Sequence, residues 1–193
     1  MSDIDDLYAA DKRIVRKILL GDRQAFAALI KNTEGLVATI VFRLIPASAD
    51  RDDLAQDIYL KAYQNLPGFR HQAKLSTWIG QIAYRTCLHY LEKKQLVLAE
   101  PDETLVIKDN SLLSSPTEQW LNRKESAAIL QTGIGRLPPL YQTLLTLFHR
   151  EEMSMEEIRQ LTGLPEGTIK SYLYRARIQL KEQLLSAYKK EDL

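Results

Sequence analysis

The sequence predicts an all-α protein: two small helical domains joined by a flexible linker, the C-terminal one a helix-turn-helix. Apolar residues recur every three or four positions along most of the 193-residue chain, which is typical of amphipathic helices. We find no stretch in which apolar and polar residues alternate, as they would in a half-buried strand. Residues 97–116 lack sustained periodicity and contain several prolines, serines and acids, which is typical of a linker.

The first domain is predicted to span residues 1–95. Helical periodicity predicts four helices in it, at about residues 6–20, 22–44, 51–65 and 76–94. Gly21 should end the first helix, and Asp22 should cap the second. The third helix has two aspartates in its first turn, where the helix dipole favours negative charge. Ser76 is expected to cap the fourth helix.

The second domain is predicted to span residues 117–193, after a linker at 96–116. Its helices are expected at about residues 115–135, 138–148, 154–162 and 166–185. Ser154 and Glu157 have the spacing of a capping box, and Gly163 and Pro165 should break the chain into a tight turn. The helix after the turn has one apolar stripe: Ile169, Leu173, Ala176, Leu180 and Leu184. Two helices around such a turn, the second one basic, form a helix-turn-helix pattern.

Charge is segregated along the chain. Residues 165–190 hold six Lys or Arg against two Glu, and residues 70–94 hold five against one, a net charge of +4 in each block. The spacer between them, residues 95–118, holds one Lys and five acids, although the whole chain carries only +1. Two basic blocks thus flank an acidic spacer, a pattern that differs from a single basic patch on a compact domain.

Several classes of protein are disfavoured by the composition. The acidic N-terminus has no apolar signal-peptide region, and no run approaches the roughly 20 apolar residues of a membrane span, so a cytoplasmic location without membrane insertion is expected. The single Cys87 excludes an internal disulfide and a cysteine-based zinc site, and its place in a periodic helix predicts a buried, inert thiol. His71 and His89 have no partner at metal-ligand spacing, so no metal or other cofactor is expected.

Two blocks together resemble bacterial sigma factors. Residues 50–94, with DLAQ and the STW step, resemble their second conserved region, and residues 137–184, with LPP and PEGTIKS…RAR, resemble their fourth. The order, the spacing and the lack of a large third region are similar to the compact extracytoplasmic-function (ECF) group of the sigma-70 family. The resemblance implies a non-enzymatic subunit that binds core RNA polymerase and directs it to promoters by their minus-10 and minus-35 elements.

The resemblance also implies roles for individual residues. The helix from Glu166 would enter the major groove at the minus-35 element, with these candidate contacts: Thr168, Lys170, Ser171, Tyr174, Arg175 and Arg177. The loop at 68–75 and the fourth helix would contact the minus-10 element through Arg70, His71, Lys74, Arg85, Thr86, His89 and Lys93. Trp78 lies on the apolar stripe of that helix and is expected in the core rather than against a base.

The third helix would dock on the clamp helices of the largest polymerase subunit. The candidate contacts are Asp53, Gln56, Asp57, Tyr59 and Tyr63. For Asp52 and Tyr59 a solvated helix face is an equally compatible interpretation. Members of this group are often held inactive by an anti-sigma protein, so such a partner is possible, and the linker would permit a compact inactive form.

Two positions depart from the family pattern. Primary sigma factors have adjacent tryptophans where this chain has Gln81 and Ile82, and stacking of that kind is worth about 1–3 kcal/mol per base. Weaker promoter melting is therefore implied. Many ECF members have Asn and Asp where this chain has Arg85 and His89, so their minus-10 sequence does not transfer to this protein.

Two other hypotheses come from different classes. An autonomous DNA-binding regulator would use the same helix-turn-helix, with residues 50–94 as a dimerisation or sensor domain, and would bind an operator without polymerase. An enzyme built on Asp52, Asp53, Asp57 and a histidine is disfavoured, because no nucleophile–base or metal constellation accompanies them.

Overall fold

A computed structural model describes the backbone of residues 2–98 and 123–191, and the side chains of residues 9–94 and 129–185. Within those ranges the chain is helical, with short 3-10 turns and no β-strand, which confirms the all-α prediction. The helices are α1 (Ser2–Leu19), α2 (Arg23–Leu44), α3 (Arg51–Asn65), α4 (Leu75–Leu98), α5 (Arg123–Gly135), α6 (Pro139–His149), α7 (Met155–Thr162) and α8 (Glu166–Glu191). The predicted linker at 96–116 begins inside α4, and the rest of it lies outside the described residues, as does the predicted start of the fifth helix.

Local sequence signals fix most helix ends as predicted. Gly21 has a φ of 89°, and the Asp22 carboxylate accepts hydrogen bonds from the N–H groups of Gln24 and Ala25 at the start of α2. Pro139 occupies the first position of α6, where its missing N–H costs nothing. Around these ends α2 packs against α3 and α4, and it forms the centre of the first half of the molecule.

The start of α4 differs from the prediction. Ser76 lies inside the helix, so its assignment as the N-cap is wrong. The Lys74 carbonyl accepts the first helical hydrogen bond, from Trp78 N–H at 3.0 Å, and the Leu75 N–H is bound by Asp11 Oδ2 of α1 at 2.8 Å. The Asp11 carboxylate, 64 residues away in the sequence, therefore caps the start of α4 in place of Ser76.

Asp11→Ala should lower the free energy of unfolding by about 1 kcal/mol, because the Leu75 N–H at the start of α4 would lose its acceptor. Urea unfolding followed by circular dichroism measures the change. Lys12→Ala is the matched control, since Lys12 is the next, exposed residue of α1. An equal effect of the two substitutions would contradict the capping role of Asp11.

Helix α2 is apolar enough to qualify as a membrane span by length and composition alone, with a mean hydropathy of 1.4 in its best 18-residue window. A buried core helix meets the same criterion, so the criterion alone is weak evidence for a membrane span. In the structure Val37, Ile40 and Leu44 of α2 are buried in the core, and the helix contacts α1, α3, α4 and α6. Helix α2 is therefore a central helix of this core.

Cys87 confirms the expectation of a buried thiol. It is 0 % exposed within α4, and burial raises the pKa of its thiol to about 12. Because the thiolate is the reactive form, the side chain acts as a small apolar residue at neutral pH.

The two halves of the chain share one core, although the sequence led us to expect separately placed units. Helices α2 and α4 of the first half pack directly against α6 and α7 of the second. Polar contacts border this seam: Thr39 Oγ1 donates to Glu151 Oε1 at 2.9 Å, and the Arg43 guanidinium donates to Gln131 and Gln142. Apolar periodicity shows which side of a helix is buried but not which helix covers it, so the seam could not be predicted.

Candidate nucleic-acid interface

The helix-turn-helix consists of α7, a tight turn and α8, and its local signals are confirmed. Ser154 Oγ accepts the Glu157 N–H, and the Glu157 carboxylate in turn accepts the Ser154 N–H at 2.8 Å, which completes a capping box. Gly163 ends α7 in the left-handed region with a φ of 77°. A residue with a Cβ would be strained there, so glycine is required for the turn.

Helix α8 is held by its apolar side and presents its basic side to solvent. Ile169, Leu173 and Ala176 are fully buried, as predicted. The predicted DNA-contacting residues lie on the remaining surface: Lys170, Ser171, Tyr174, Arg175 and Arg177 are exposed, and Thr168 is half-buried. Tyr174 is 65 % exposed, so its ring and hydroxyl are accessible to a ligand.

The cations on α8 differ in how freely they can reach a ligand. Lys170 pairs with Glu166 one turn earlier at 2.6 Å. Arg177 contacts His149 Nε2 at 3.2 Å and lies 5.6 Å from the centre of the Phe148 ring, so its side chain is directed toward the end of α6. Arg175 is exposed, and we select it below for the test of DNA contact.

The second predicted surface comprises the loop before α4 and the exposed side of α4. Arg70, Arg85, His89 and Lys93 are exposed. His71 has a φ of 55°, its ring packs 4.6 Å from Phe69, and its buried Nδ1 has no hydrogen-bond partner among the described residues. Thr86 is the exception on this surface: it is buried, and its Oγ1 accepts a hydrogen bond from Lys61, so the structure does not present it to a ligand.

Trp78 packs against the core, as predicted, but it lies beside the loop and is not fully buried. Its ring centre is 5.0 Å from that of Phe69, it is half-buried, and it lines a cleft of about 550 Å³. The cleft is also lined by Gly68, Arg70, Gln72, Ala73, Thr77 and Gln81 from the first half, and by Arg159, Gln160 and Gly163 from the second. The cleft therefore lies between the loop before α4 and the helix-turn-helix.

Lys74, in the loop before α4, forms an ion pair with the second half of the chain. Its Nζ lies 2.7 Å from Glu157 Oε1. Burial raises the pKa of Glu157, but hydrogen bonds from Lys74 and Ser154 outweigh it, and the pKa lies below its ordinary value. The carboxylate is therefore charged at neutral pH and competes for Lys74 with any other anion.

Helix α3 presents the third predicted surface. Asp53, Gln56 and Tyr63 are exposed, whereas Asp57 is paired with Lys61 at 2.7 Å. The Tyr59 hydroxyl shares a hydrogen bond of 3.0 Å with Thr33, and burial raises the pKa of that phenol. Tyr59 is thus partly a structural residue, which fits neither a solvated helix face nor a purely interfacial role.

Beside α3 lies an open, mainly apolar groove of about 730 Å³ that the sequence did not reveal. Its lining comes from the end of α1, from the first turns of α2 and from α3. The large apolar residues in this lining are Ile18, Phe26, Ile30, Tyr59, Leu60 and Tyr63. Leu19 and Leu20 are exposed next to it. The sequence signal that could have pointed to the groove is the pair Leu19-Leu20 directly before the helix stop Gly21-Asp22.

Within the described side chains, no three His, Cys, Asp or Glu residues cluster closely enough to hold a metal ion. The three surfaces present cations, carboxylates, amides, hydroxyls and aromatic rings. These groups suit phosphate, base and protein contacts.

Comparison with known proteins gives the same arrangement of regions. Residues 29–97 match the family description "Sigma-70 region 2", and residues 127–180 match "Sigma-70, region 4". The chain is 27 % identical to the ECF RNA polymerase sigma-E factor of Haemophilus influenzae, over 90 % of this chain and 95 % of the relative. It is 26 % identical to the ECF RNA polymerase sigma factor SigW of Bacillus subtilis, over 90 % of this chain and 96 % of the relative.

Two solved structures have a similar fold. CnrH, in complex with the cytosolic domain of CnrY, superposes with a TM-score of 0.62 at 20 % identity, over 92 % of this chain and 98 % of that chain. RpoE of Bartonella quintana, in complex with the anti-sigma factor NepR, gives 0.64 at 20 % identity, over 82 % and 96 %.

Proposed function

Because this chain belongs to the ECF group of the sigma-70 family, we propose that its three exposed surfaces carry out the separate steps of promoter recognition. The protein is a transcription initiation factor that associates with RNA polymerase and directs promoter-specific initiation. What remains to be assigned is which residues of this chain perform each step.

The minus-35 element is assigned to the exposed side of α8. The observation that carries this proposal is the contrast within that helix: a fully buried stripe fixes its orientation, and the opposite side holds the candidate cations and Tyr174. A helix of this kind fits the major groove, where arginine and lysine side chains contact guanine edges and phosphates. Arg175 and Lys170 are the proposed principal contacts.

The minus-10 element is assigned to the loop before α4 and to the exposed cations of α4. Arg70, Arg85 and Lys93 can attract the phosphates of a separated strand, and the half-buried ring of Trp78 can stack on a base that has left the duplex. The missing tryptophan pair at Gln81 and Ile82 leaves fewer stacking surfaces for melted DNA. Initiation should therefore depend strongly on the quality of the promoter.

Polymerase docking is assigned to α3 together with the adjacent apolar groove. Exposed acids and amides on α3 can pair with a basic partner helix, while the groove can accept apolar side chains of the same helix. The combination of an apolar centre and a charged rim is typical of protein interfaces.

Run-off transcription with purified core polymerase tests the function as a whole. We expect transcripts from a subset of genomic promoters that appear only when this chain is added. Silence on every genomic template would contradict the proposal. Tight operator binding by the isolated chain would instead favour an autonomous regulator.

The double variant Asp53→Ala/Gln56→Ala should reduce recovery of core polymerase in a pull-down, because it removes the exposed acid and amide that face the partner in the proposed docking. Circular dichroism should show an unchanged fold, since both residues are exposed. Glu34→Ala with Asn32→Ala removes the same kinds of groups from exposed positions of α2 and serves as the control. Equal recovery of polymerase by both double variants would remove α3 from the docking surface.

The proposed partners follow from these surfaces: core RNA polymerase, promoter DNA and an anti-sigma protein. The two solved structures with a similar fold were determined as complexes, one of them with a named anti-sigma factor. We propose a comparable protein partner for this chain. The assigned surfaces call for binding rather than catalysis, so we propose no enzymatic activity and no cofactor.

A further inference from the structure

Helix α7 belongs to the helix-turn-helix, yet it lies against the N-terminal half of α4. The close approach depends on Gly80, which is buried in α4. A Cβ at this position would lie 2.7 Å from Leu161 Cδ1 of α7 and 3.3 Å from Leu36 Cδ2 of α2. Glycine costs about 1 kcal/mol relative to alanine inside a helix. The close contact with α7 offers a physical reason for that cost.

Polar contacts across the same seam involve the minus-10 surface. Lys74 Nζ is 2.7 Å from Glu157 Oε1 of α7, and Gln81 Nε2 donates to the Gln160 carbonyl oxygen at 3.1 Å. Gln81 occupies one of the positions where primary sigma factors carry a DNA-stacking tryptophan. Both contacts thus use positions of α4, or of the loop before it, that face DNA in the proposed function.

The cleft beside Trp78 is also lined by residues from both halves of the chain. One wall comes from the proposed minus-10 surface, and the opposite wall is Arg159, Gln160 and Gly163 of the helix-turn-helix. A DNA strand that reached Trp78 and Lys74 would have to occupy space next to α7. The packing seen here and full access of a strand to this surface are therefore competing states.

We propose that α7 is an intramolecular competitor of promoter DNA: in the free chain it covers the start of α4, and the Glu157 carboxylate occupies the place of a DNA phosphate on Lys74. The inference rests on the proposed assignment of the minus-10 surface. It adds that this chain restrains its own DNA binding without a second protein.

The competition has a simple energetic form. Only the fraction of molecules in which α7 has moved away can bind a strand at this surface, and the apparent affinity falls by that fraction. Glu157 is suited to the role because Ser154 holds it in the capping box as well. The carboxylate is therefore fixed in position at the surface that meets Lys74.

The substitution Glu157→Gln tests the contribution of the ion pair between Glu157 and Lys74. Glutamine can still complete a capping box, so α7 should remain folded, but the ion pair with Lys74 is lost. Glu156→Gln is the matched control: it changes the net charge equally, and among the described side chains Glu156 pairs with Arg159 and Gln160 of the same helix.

The substitution Gly80→Ala tests the contribution of the close packing between α4 and α7. The added methyl group should force Leu161 away, while alanine favours the helical state of α4 itself. Gly35→Ala is its control, because Gly35 lies in α2 with nothing within 4 Å of an added Cβ.

The readouts are the radius of gyration of the full chain by small-angle scattering, and its affinity for a labelled random-sequence single-stranded DNA pool, both without polymerase. We expect Glu157→Gln to enlarge the radius and to bind the pool about two- to fivefold more tightly than Glu156→Gln, the factor that loss of a partly exposed ion pair gives. Gly80→Ala should exceed Gly35→Ala in both measurements.

The proposal is overturned if either variant behaves like its control. Run-off transcription by the unmodified chain with core polymerase would then still stand, so failure of this inference is distinguishable from failure of the proposed function.

Discussion

Replacing Leu161 by alanine should lower the free energy of unfolding by about 2–5 kcal/mol, which is the cost of emptying a well-packed leucine site. Leu161 is 0 % exposed and belongs to the core that both halves of the chain share. Most domains have only about 5–15 kcal/mol of stability in total, so the variant should be strongly destabilised. Urea unfolding followed by circular dichroism measures the loss.

Leu185→Ala is the control for this experiment, because Leu185 is a half-exposed leucine of α8. We expect its effect to stay within about 0.5 kcal/mol, as is usual for surface positions. The Leu161 variant should also lose stability in a single transition, since its side chain packs near both halves. A loss below about 1 kcal/mol would contradict a packed site.

Arg175→Ala should reduce promoter-dependent transcription about 5- to 150-fold, which corresponds to the roughly 1–3 kcal/mol of one base contact. The variant should fold normally, because Arg175 is exposed. Transcription with core polymerase is measured at several salt concentrations and on promoters altered in the minus-35 element. Loss of sequence preference would indicate a base contact, and a shallower salt dependence would indicate a phosphate contact.

Gln179→Ala is the matched control, since Gln179 is an exposed, uncharged residue further along α8. We expect it to transcribe like the unmodified chain. If Arg175→Ala behaves in the same way in activity and in salt dependence, the orientation assigned to α8 on DNA is incorrect.

The sequence was sufficient where the signal is local. Ser154 with Glu157 and Gly163 specify the ends of α7 through contacts within a few residues, and these features were predicted and confirmed. The buried stripe of α8 was also predicted correctly, because a helix that packs on one side must repeat apolar residues at 3.6-residue intervals.

The sequence was not sufficient where a distant segment supplies the partner. Asp11 binds the first turn of α4 from α1, and no pattern near Ser76 points to it. The Lys74–Glu157 pair joins a residue of the first basic block to the capping box of α7, and neither local pattern pointed to the other residue. Thr86 was placed on the DNA-facing side by resemblance, but packing beside Lys61 buries it.

The single cysteine has a practical consequence. Cys87 is wholly enclosed in α4, and its raised pKa keeps it protonated at neutral pH. A maleimide or other alkylating reagent can therefore modify the protein only when the first half of the chain opens. The rate of that modification would therefore report how often the first half of the chain opens, and no cysteine needs to be introduced.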